Sequence, residues 1–166
     1  MGEYRLLDLT AADVETIDTL TPEGWSGIQE IHRHYIRSKE CHCIKAVQGG
    51  QTIGLGTGIA FGPSAWIAHI IVTKDHQGKG VGSAIVRDRI EFLRNELGCG
   101  TFSLTATDQG YPVYKKIGFA DESMYRIMKK TDPGAAIDGP ASPYVARIQT
   151  RHMEDALAID AIVSGE

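Results

Sequence analysis

The sequence predicts an α+β fold of the mixed α/β kind, a central mixed β-sheet flanked by helices. Three observations carry that expectation. The apolar residues change period along the chain in the order β-α-α-β-β-β-α-β-α-β. The first half is dominated by strands joined through short turns, which favours antiparallel pairing over the regular strand–helix alternation of a doubly wound sheet. Finally, His69 to Leu97 passes from a β-branched run, Ile70-Ile71-Val72, through a turn with Gly78, Gly80 and Gly82 into a helical pattern.

Taken in order, Tyr4 to Leu9 opens the chain as a strand. Thr10 is placed as N-cap of a helix from Ala11 to Leu20, with Val14, Ile17 and Leu20 facing inward. Thr21-Pro22-Glu23-Gly24-Trp25 breaks that helix. From Ser26, the spacing of Ile28, Ile31, Tyr35 and Ile36 predicts a second helix to about Arg37. His42 to Val47 reads as a strand, Gln48-Gly49-Gly50-Gln51 as a hairpin turn, and Thr52 to Phe61 as the returning strand. Gly54, Gly56 and Gly58 alternate along that return, weakening it or marking a bulge or a close backbone approach. Gly62-Pro63-Ser64 turns into the strand Trp66 to Val72. After the glycine turn, Val86, Ile90, Leu93 and Leu97 share one helical face, and Gly98 is the C-cap. Thr101 to Ala106 alternates as a strand, Asp108 to Lys116 is a short helix stopped by Gly118, and Met124 to Met128 is a last strand.

Bulk properties exclude several classes of function. A chain of 166 residues, 42% hydrophobic and 23% charged, suits one globular domain with a real core and a small appendage. A formal charge of −4 argues against nucleic acid as a partner. No apolar run reaches membrane-span length and no secretory pattern opens the chain, so neither a membrane partner nor export is expected. Three cysteines make no disulfide framework, and a reducing cytoplasm is the expected location. Cys41-His42-Cys43 has no second ligand pair, and strand alternation puts His42 on the face opposite the two thiols, so no metal is expected.

The glycine turn carries the chemistry. Turns of this kind present backbone N–H groups at the positive end of a helix, where nothing inside the helix satisfies them. Phosphate oxygens fit such a place, and glycine lets them approach the main chain. Lys79 and Arg87 add positive charge. The P-loop string is absent, and Gly78-Lys79-Gly80-Val81-Gly82 misses the dinucleotide spacing because its third glycine comes one residue early. Gln/Arg-x-x-Gly-x-Gly is matched by Gln77-Gly78-Lys79-Gly80-Val81-Gly82. This string resembles the coenzyme A pyrophosphate loop of the GNAT superfamily, the acetyl-CoA-dependent N-acetyltransferases. One helix and one strand later, Tyr114-Lys115-Lys116-Ile117-Gly118-Phe119 resembles that family's Tyr-x-Lys-x-Gly-Phe signature. With the strand order, the resemblance covers residues 4 to 130.

That resemblance implies the GNAT acyl-CoA N-acyltransferase fold and transfer of an acetyl group from acetyl-CoA to a primary amine, first of all that of a small molecule. It implies that backbone groups of Ile71, Val72 and Thr73 bind the pantetheine arm. The motif from Gln77 through Gly78, Lys79, Gly80, Val81 and Gly82 to Ser83 would hold the pyrophosphate. The amine would attack the thioester directly, and Tyr114 would protonate the departing thiolate, its phenol being protonated at neutral pH. For the base, His69 is a candidate by its ordinary pKa, with Asp108 and Glu23 as alternatives. Thr107 stands where many relatives carry Asn, which leaves that contact to the coenzyme open. The other reading is a non-catalytic acyl-CoA-binding or regulatory module of the same fold. Glu23-Gly24-Trp25 resembles a turn in GNAT proteins that carry a second, divergent domain, with Trp25 as a hydrophobic plug or a substrate wall.

The expected organisation is an acetyltransferase domain at 1–130, a linker at 131–143 and a strand–helix appendage at 144–166. The linker is rich in Pro, Gly and Ala, from Asp132 to Pro143. Tyr144 to Gln149 reads as a strand, and His152 to Val163 as a helix with Ala156, Ile159 and Ile162 on one side. Arg147, Asp155, Ile159 and Asp160 echo Arg5, Asp13, Ile17 and Asp18, as the start of a truncated second GNAT domain would. Alternatively the appendage is a tail that docks on its own domain or on a second copy, as a homodimer.

Overall fold

The computed structural model describes residues 3–126 and 147–164. The chain divides into two compact units, Met1–Ala120 and Asp121–Glu166. The first holds a five-stranded mixed sheet in the order β1-β2-β3-β4-β5: Arg5–Asp8, Cys41–Gln48, Gln51–Phe61, Ser64–Val72 and Thr101–Ser103. Strands β1 to β4 form an antiparallel meander and β5 runs parallel to β4. Between β2 and β3, Gly49 and Gly50 take φ of 57° and 81°. Two consecutive left-handed residues match the twist of a tight hairpin.

Helix α1 (Ala11–Val14), a 3-10 turn at Ile17–Leu20 and helix α2 (Ile28–Tyr35) pack on one face of the sheet. There Val14, Ile17, Leu20 and Ile28 meet Cys43, Leu55 and Ile71. On the other face lie α3 (Val81–Leu97) and α4 (Tyr111–Ile117). Val81 and Ile85 pack with Ile44 and Ala46, and Val86 and Leu93 with Ala65 and Ile67. Thr10 caps α1 through a reciprocal pair with Asp13, and Lys45 on β2 reaches Asp13 Oδ1 at 2.5 Å. Burial pushes the Asp13 carboxyl up, but the bonds from Lys45 and Thr10 outweigh it and hold the group below its ordinary value.

The alternating glycines of β3 answer a packing demand. A methyl group on Gly56 would collide with Ile85 Cγ2 and lie 2.6 Å from Ile70 Cδ1, and one on Gly58 would lie 2.7 Å from Leu93 Cδ1. On Gly54 it would meet the Ile71 carbonyl oxygen at 2.9 Å. These glycines therefore mark a close approach of α3 to the sheet. The same face of α3 buries Arg89, a charge that the apolar periodicity conceals. Its guanidinium is paired with Asp88 at 2.9 and 2.5 Å, donates to the His42 carbonyl at 3.4 Å and lies over the Phe92 ring.

Five expectations need correction. The first helix ends at Val14 rather than Leu20, because Thr16 and Thr19 turn their hydroxyls onto the carbonyls of Asp13 and Thr16, at 2.9 and 3.0 Å, and the chain tightens into the 3-10 turn. Leu97 is exposed at the last turn of α3. Strand β5 stops at Ser103, since β4 supplies no pairing partner beyond it. Residues 124–126 form no strand, and Met124 and Tyr125 are exposed, while 127 and 128 lie outside the described residues. The linker and Tyr144 also lie outside them, and residues 147–149 carry no strand pairing; in the second unit the expected helix forms as α5 (Met153–Ser164).

Replacing Gly56 by valine is expected to lower the stability of the protein by about 1–3 kcal/mol or to prevent folding, the range for overpacking a close-packed core. Gly100→Ala, where no atom lies within 4 Å of the added methyl, is the matched control and should leave the melting temperature nearly unchanged. Thermal denaturation of the two variants checks this.

Candidate functional site

Strand β4 is paired on both sides only at its start. Its register with β5 covers Ser64, Ala65 and Trp66, matched to Thr101, Phe102 and Ser103. Beyond Trp66 it continues to Val72 along β3 alone. Thr73 N–H donates to the Ile53 carbonyl at 2.9 Å. Antiparallel bonding alternates between neighbours, so the N–H and C=O of Val72 point away from β3 toward the open side. Among the three residues expected to bind an extended ligand, Val72 is thus the one whose backbone faces the gap.

Past Val72 the chain makes a short 3-10 turn, Lys74–His76, held by a hydrogen bond of 2.8 Å between Thr73 Oγ1 and His76 Nδ1. Gly78 and Gly80 follow with φ of 71° and 84°. A side chain at either would be strained, and the space over both is open. Gly80 is the N-cap of α3, and its carbonyl accepts the first helical bond from Ala84 N–H at 3.0 Å. The amides of Val81, Gly82 and Ser83 therefore fall outside the helical ladder. Lys79 and Arg87 are exposed nearby in sequence. Open space, left-handed glycines and unladdered amides suit an anionic pyrophosphate.

Gln77 does more than head the glycine string. Its Nε2 donates to the Val72 carbonyl at 3.0 Å and its Oε1 accepts from Gln109 Nε2 at 2.7 Å. The glycine turn is thereby joined to the segment that begins α4. Thr107 organises the same segment: its Oγ1 accepts from Gly110 N–H at 3.2 Å and its carbonyl from Tyr111 N–H at 2.9 Å. Tyr114 lies in α4 with its ring across Gly110, where a Cβ would come within 2.8 Å of it, and edge-on to Phe119. It packs on the cluster of Ala65, Val86 and Leu93. Burial pushes its phenol above the ordinary value of 10.0, so it carries its proton at neutral pH.

His69 is placed by an irregularity. Between Leu55 and Thr57, which pair with Ile71 and Ala68, β4 holds one residue more than β3. Within that bulge His69 takes φ of 49°, alone among non-glycine residues described. Ile67 and Ile70 face α3, whereas Ile71 faces α2. Regular alternation from Ile67 would send residue 69 toward α3. The bulge instead turns His69 toward α2, with ring centroids 5.5 Å from His32, 5.5 Å from Tyr35 and 5.9 Å from Trp25. Burial, with a smaller contribution from His32, lowers its pKa.

His69 and Tyr114 thus flank the sheet from opposite faces, while Val72, the glycine turn and Gln77 lie together at the open end of β4. Asp108 and Glu23 are exposed. His32 escaped the sequence reading, although it falls one turn after Ile28 and one before Tyr35, at the centre of the inward face of α2. It is fully buried, and burial lowers its pKa. Among the described residues, no group of three or more His, Cys, Asp or Glu side chains is arranged to hold a metal, and no helix is long and apolar enough to cross a membrane.

Comparison with known proteins bears on the family and the fold. The sequence profile described as the acetyltransferase (GNAT) family matches residues 11–119. A transcriptional regulator from Bacillus halodurans C-125 superposes with a TM-score of 0.66 at 20% identity, over 77% of this chain and 100% of that one. Glucosamine-6-phosphate N-acetyltransferase from Arabidopsis thaliana gives 0.60 at 17% identity, over 78% and 99%. The aminoglycoside N-acetyltransferase AAC(6')-Iy in complex with CoA gives 0.65 at 13% identity, over 80% and 97%.

The buried His32 and the half-buried His69, both held below their ordinary 6.5, make stability depend on pH. As pH falls below that value the unfolded chain takes up protons at both sites before the folded chain does. Stability is therefore fully present above the unfolded value and lost as pH falls toward the folded ones. The melting temperature should decline on acidification through the histidine range, above the range in which Asp13 titrates. A His32→Leu variant that folds should show a shallower decline.

Proposed function

The chain belongs to the acetyltransferase (GNAT) family, and on that premise we propose that it transfers the acetyl group of acetyl-CoA to a primary amine of a small molecule. The observation that carries this reading is the continuity of the open edge of β4 at Val72 with two left-handed glycines and the first amides of α3. Acetyl-CoA supplies the acetyl group activated as a thioester. In this reading Val72, between Ile71 and Thr73, bonds the extended arm as an added strand would, and the amides from Gly78 to Ser83 hold the pyrophosphate. Fold neighbours named for glucosamine-6-phosphate and aminoglycoside acceptors lend support to a small amine as the other substrate.

His69, kept neutral by its surroundings, takes a proton from the acceptor ammonium, and Trp25 and Tyr35 flank the imidazole that does so. The freed lone pair of the amine attacks the thioester carbon, the carbon–sulfur bond breaks, and Tyr114 gives its proton to the sulfur. Orientation on a rigid strand edge supplies much of the acceleration, and general acid–base catalysis adds roughly 10²–10⁴-fold. The same reading assigns 1–130 to the acetyltransferase domain, 131–143 to a linker and 144–166 to an appendage, acting in the cytoplasm.

Calorimetric titration with acetyl-CoA tests the coenzyme site. Wild type should bind, and Gly80→Glu, which sets a carboxylate on a left-handed residue at the phosphate site, should lose binding. A folded wild type that does not bind would refute the reading. With an amine found by screening for thiol release, Tyr114→Phe should lower kcat about 10²-fold or more while acetyl-CoA affinity stays level; an unchanged kcat would remove Tyr114 as the acid.

A further inference from the structure

His32 is a polar residue in an apolar core. It is fully buried on α2, with its ring against those of Tyr35 and His69. Its Nδ1 lies 2.7 Å from the Ile28 carbonyl, which can only accept, so Nδ1 carries the hydrogen. In the neutral ring Nε2 then holds a lone pair, and that atom is buried without a hydrogen-bond partner. The adjoining ring, His69, has a buried Nδ1 that likewise lacks one. Orphaned buried polar atoms are uncommon and call for a reason. Here an acceptor and an uncommitted nitrogen occur on rings whose centroids are 5.5 Å apart, steeply inclined at 71°. One water can bridge two such nitrogens, and hydrogen bonds at catalytic sites are often loose until substrate is present.

We propose that His32 is a positioning residue for His69: its Nε2 lone pair receives the Nδ1–H of His69 and so leaves Nε2 of His69 as the atom that takes the proton of the acceptor amine. The inference rests on the reading of His69 as the base. When His69 Nε2 takes that proton the ring becomes an imidazolium, and its Nδ1–H keeps the bond to His32, which gains no proton. A left-handed residue that re-aims a side chain is strain of the kind found at functional sites, and this strain brings the two rings together. Titratable groups on the surrounding elements include Tyr35, Arg33 and the exposed Glu30 and His34 on α2, Cys41, His42, Cys43 and Lys45 on β2, and the exposed Glu23 beside Trp25. Burial pushes Tyr35 and both thiols up, Cys43 to about 11, so these three stay neutral at neutral pH and His32 is the neighbouring ring that responds to the charge of His69.

The test is the tautomer of His69, read by long-range nitrogen–carbon NMR on the full chain labelled at histidine. In wild type the ring should be the Nδ1–H form. His32→Phe, which keeps the ring volume and removes the acceptor, should shift it to the Nε2–H form. His32→Gln, whose amide oxygen can accept, should restore Nδ1–H. A wild-type His69 in the Nε2–H form would overturn the proposal, and that spectrum needs no variant to fold. A His32→Phe spectrum identical to wild type would also overturn it. His69→Ala, assayed with acetyl-CoA and a screened amine, tests the base separately: a kcat/KM unchanged across neutral pH would refute the base reading, while the tautomer result would stand.

Discussion

The depth at which α3 settles onto β3 determines where everything else can be. Side chains on a sheet normally hold a packed layer off its backbone, yet Gly54, Gly56 and Gly58 present only hydrogens where Ile85 and Leu93 press down. A strand so rich in glycine is poor by propensity and loses much chain entropy on folding. It is tolerated because β3 is central, paired along its length with β2 and β4 and buried through most of its residues. Apolar contact along α3 offsets that loss, and the helix start is brought level with the end of β4. The turn between them can then be short and its amides close to the strand edge.

A second constraint works within β4. One extra residue changes which side chains face which layer, and His69 crosses from the α3 side to the α2 side. The backbone at a left-handed non-glycine residue costs on the order of 1–3 kcal/mol, and the surrounding core must hold it there. The side chains that line that core are largely apolar, among them Val14, Ile17, Leu20, Ile28, Leu55 and Ile71. The same bulge occurs where β5 has already left β4, so departure of one neighbour and distortion against the other coincide over a few residues. Strand edge and imidazole are thereby presented by one short segment.

Much of this was legible from the residues. Period changes marked every strand of the sheet, the Gln77–Gly82 string and Tyr114–Phe119 located the glycine turn and the short helix, and Gly98 and Gly118 marked the helix ends. What stayed hidden was whatever depends on pairing between distant segments. The alternation of Thr101 to Ala106 says strand, but its length is decided by where β4 stops pairing. A bulge leaves no trace in periodicity when the residues around it, Ile70 to Val72, are apolar on both faces. His32 was overlooked because a histidine within an amphipathic pattern counts as polar, although its position placed it at the middle of the buried face. Thr16 and Thr19 ended the first helix by local competition for carbonyls, which the apolar spacing of Val14, Ile17 and Leu20 does not register.

The amide bridge from Gln109 to Gln77 and on to the Val72 carbonyl has a consequence for ligand exchange. It joins two surface segments far apart in sequence through exposed side chains. A neutral hydrogen bond of this kind contributes about 1 kcal/mol net, which corresponds to a preference of roughly fivefold for the tied arrangement over the released one. The two segments are therefore biased toward one separation without being locked, and the released form remains a sizeable minority. A nucleotide-bearing molecule arriving at the strand end would find its path partly set and still able to yield. In the proposed function, such a clasp would let the acetyl carrier enter and its spent form leave before each new turnover.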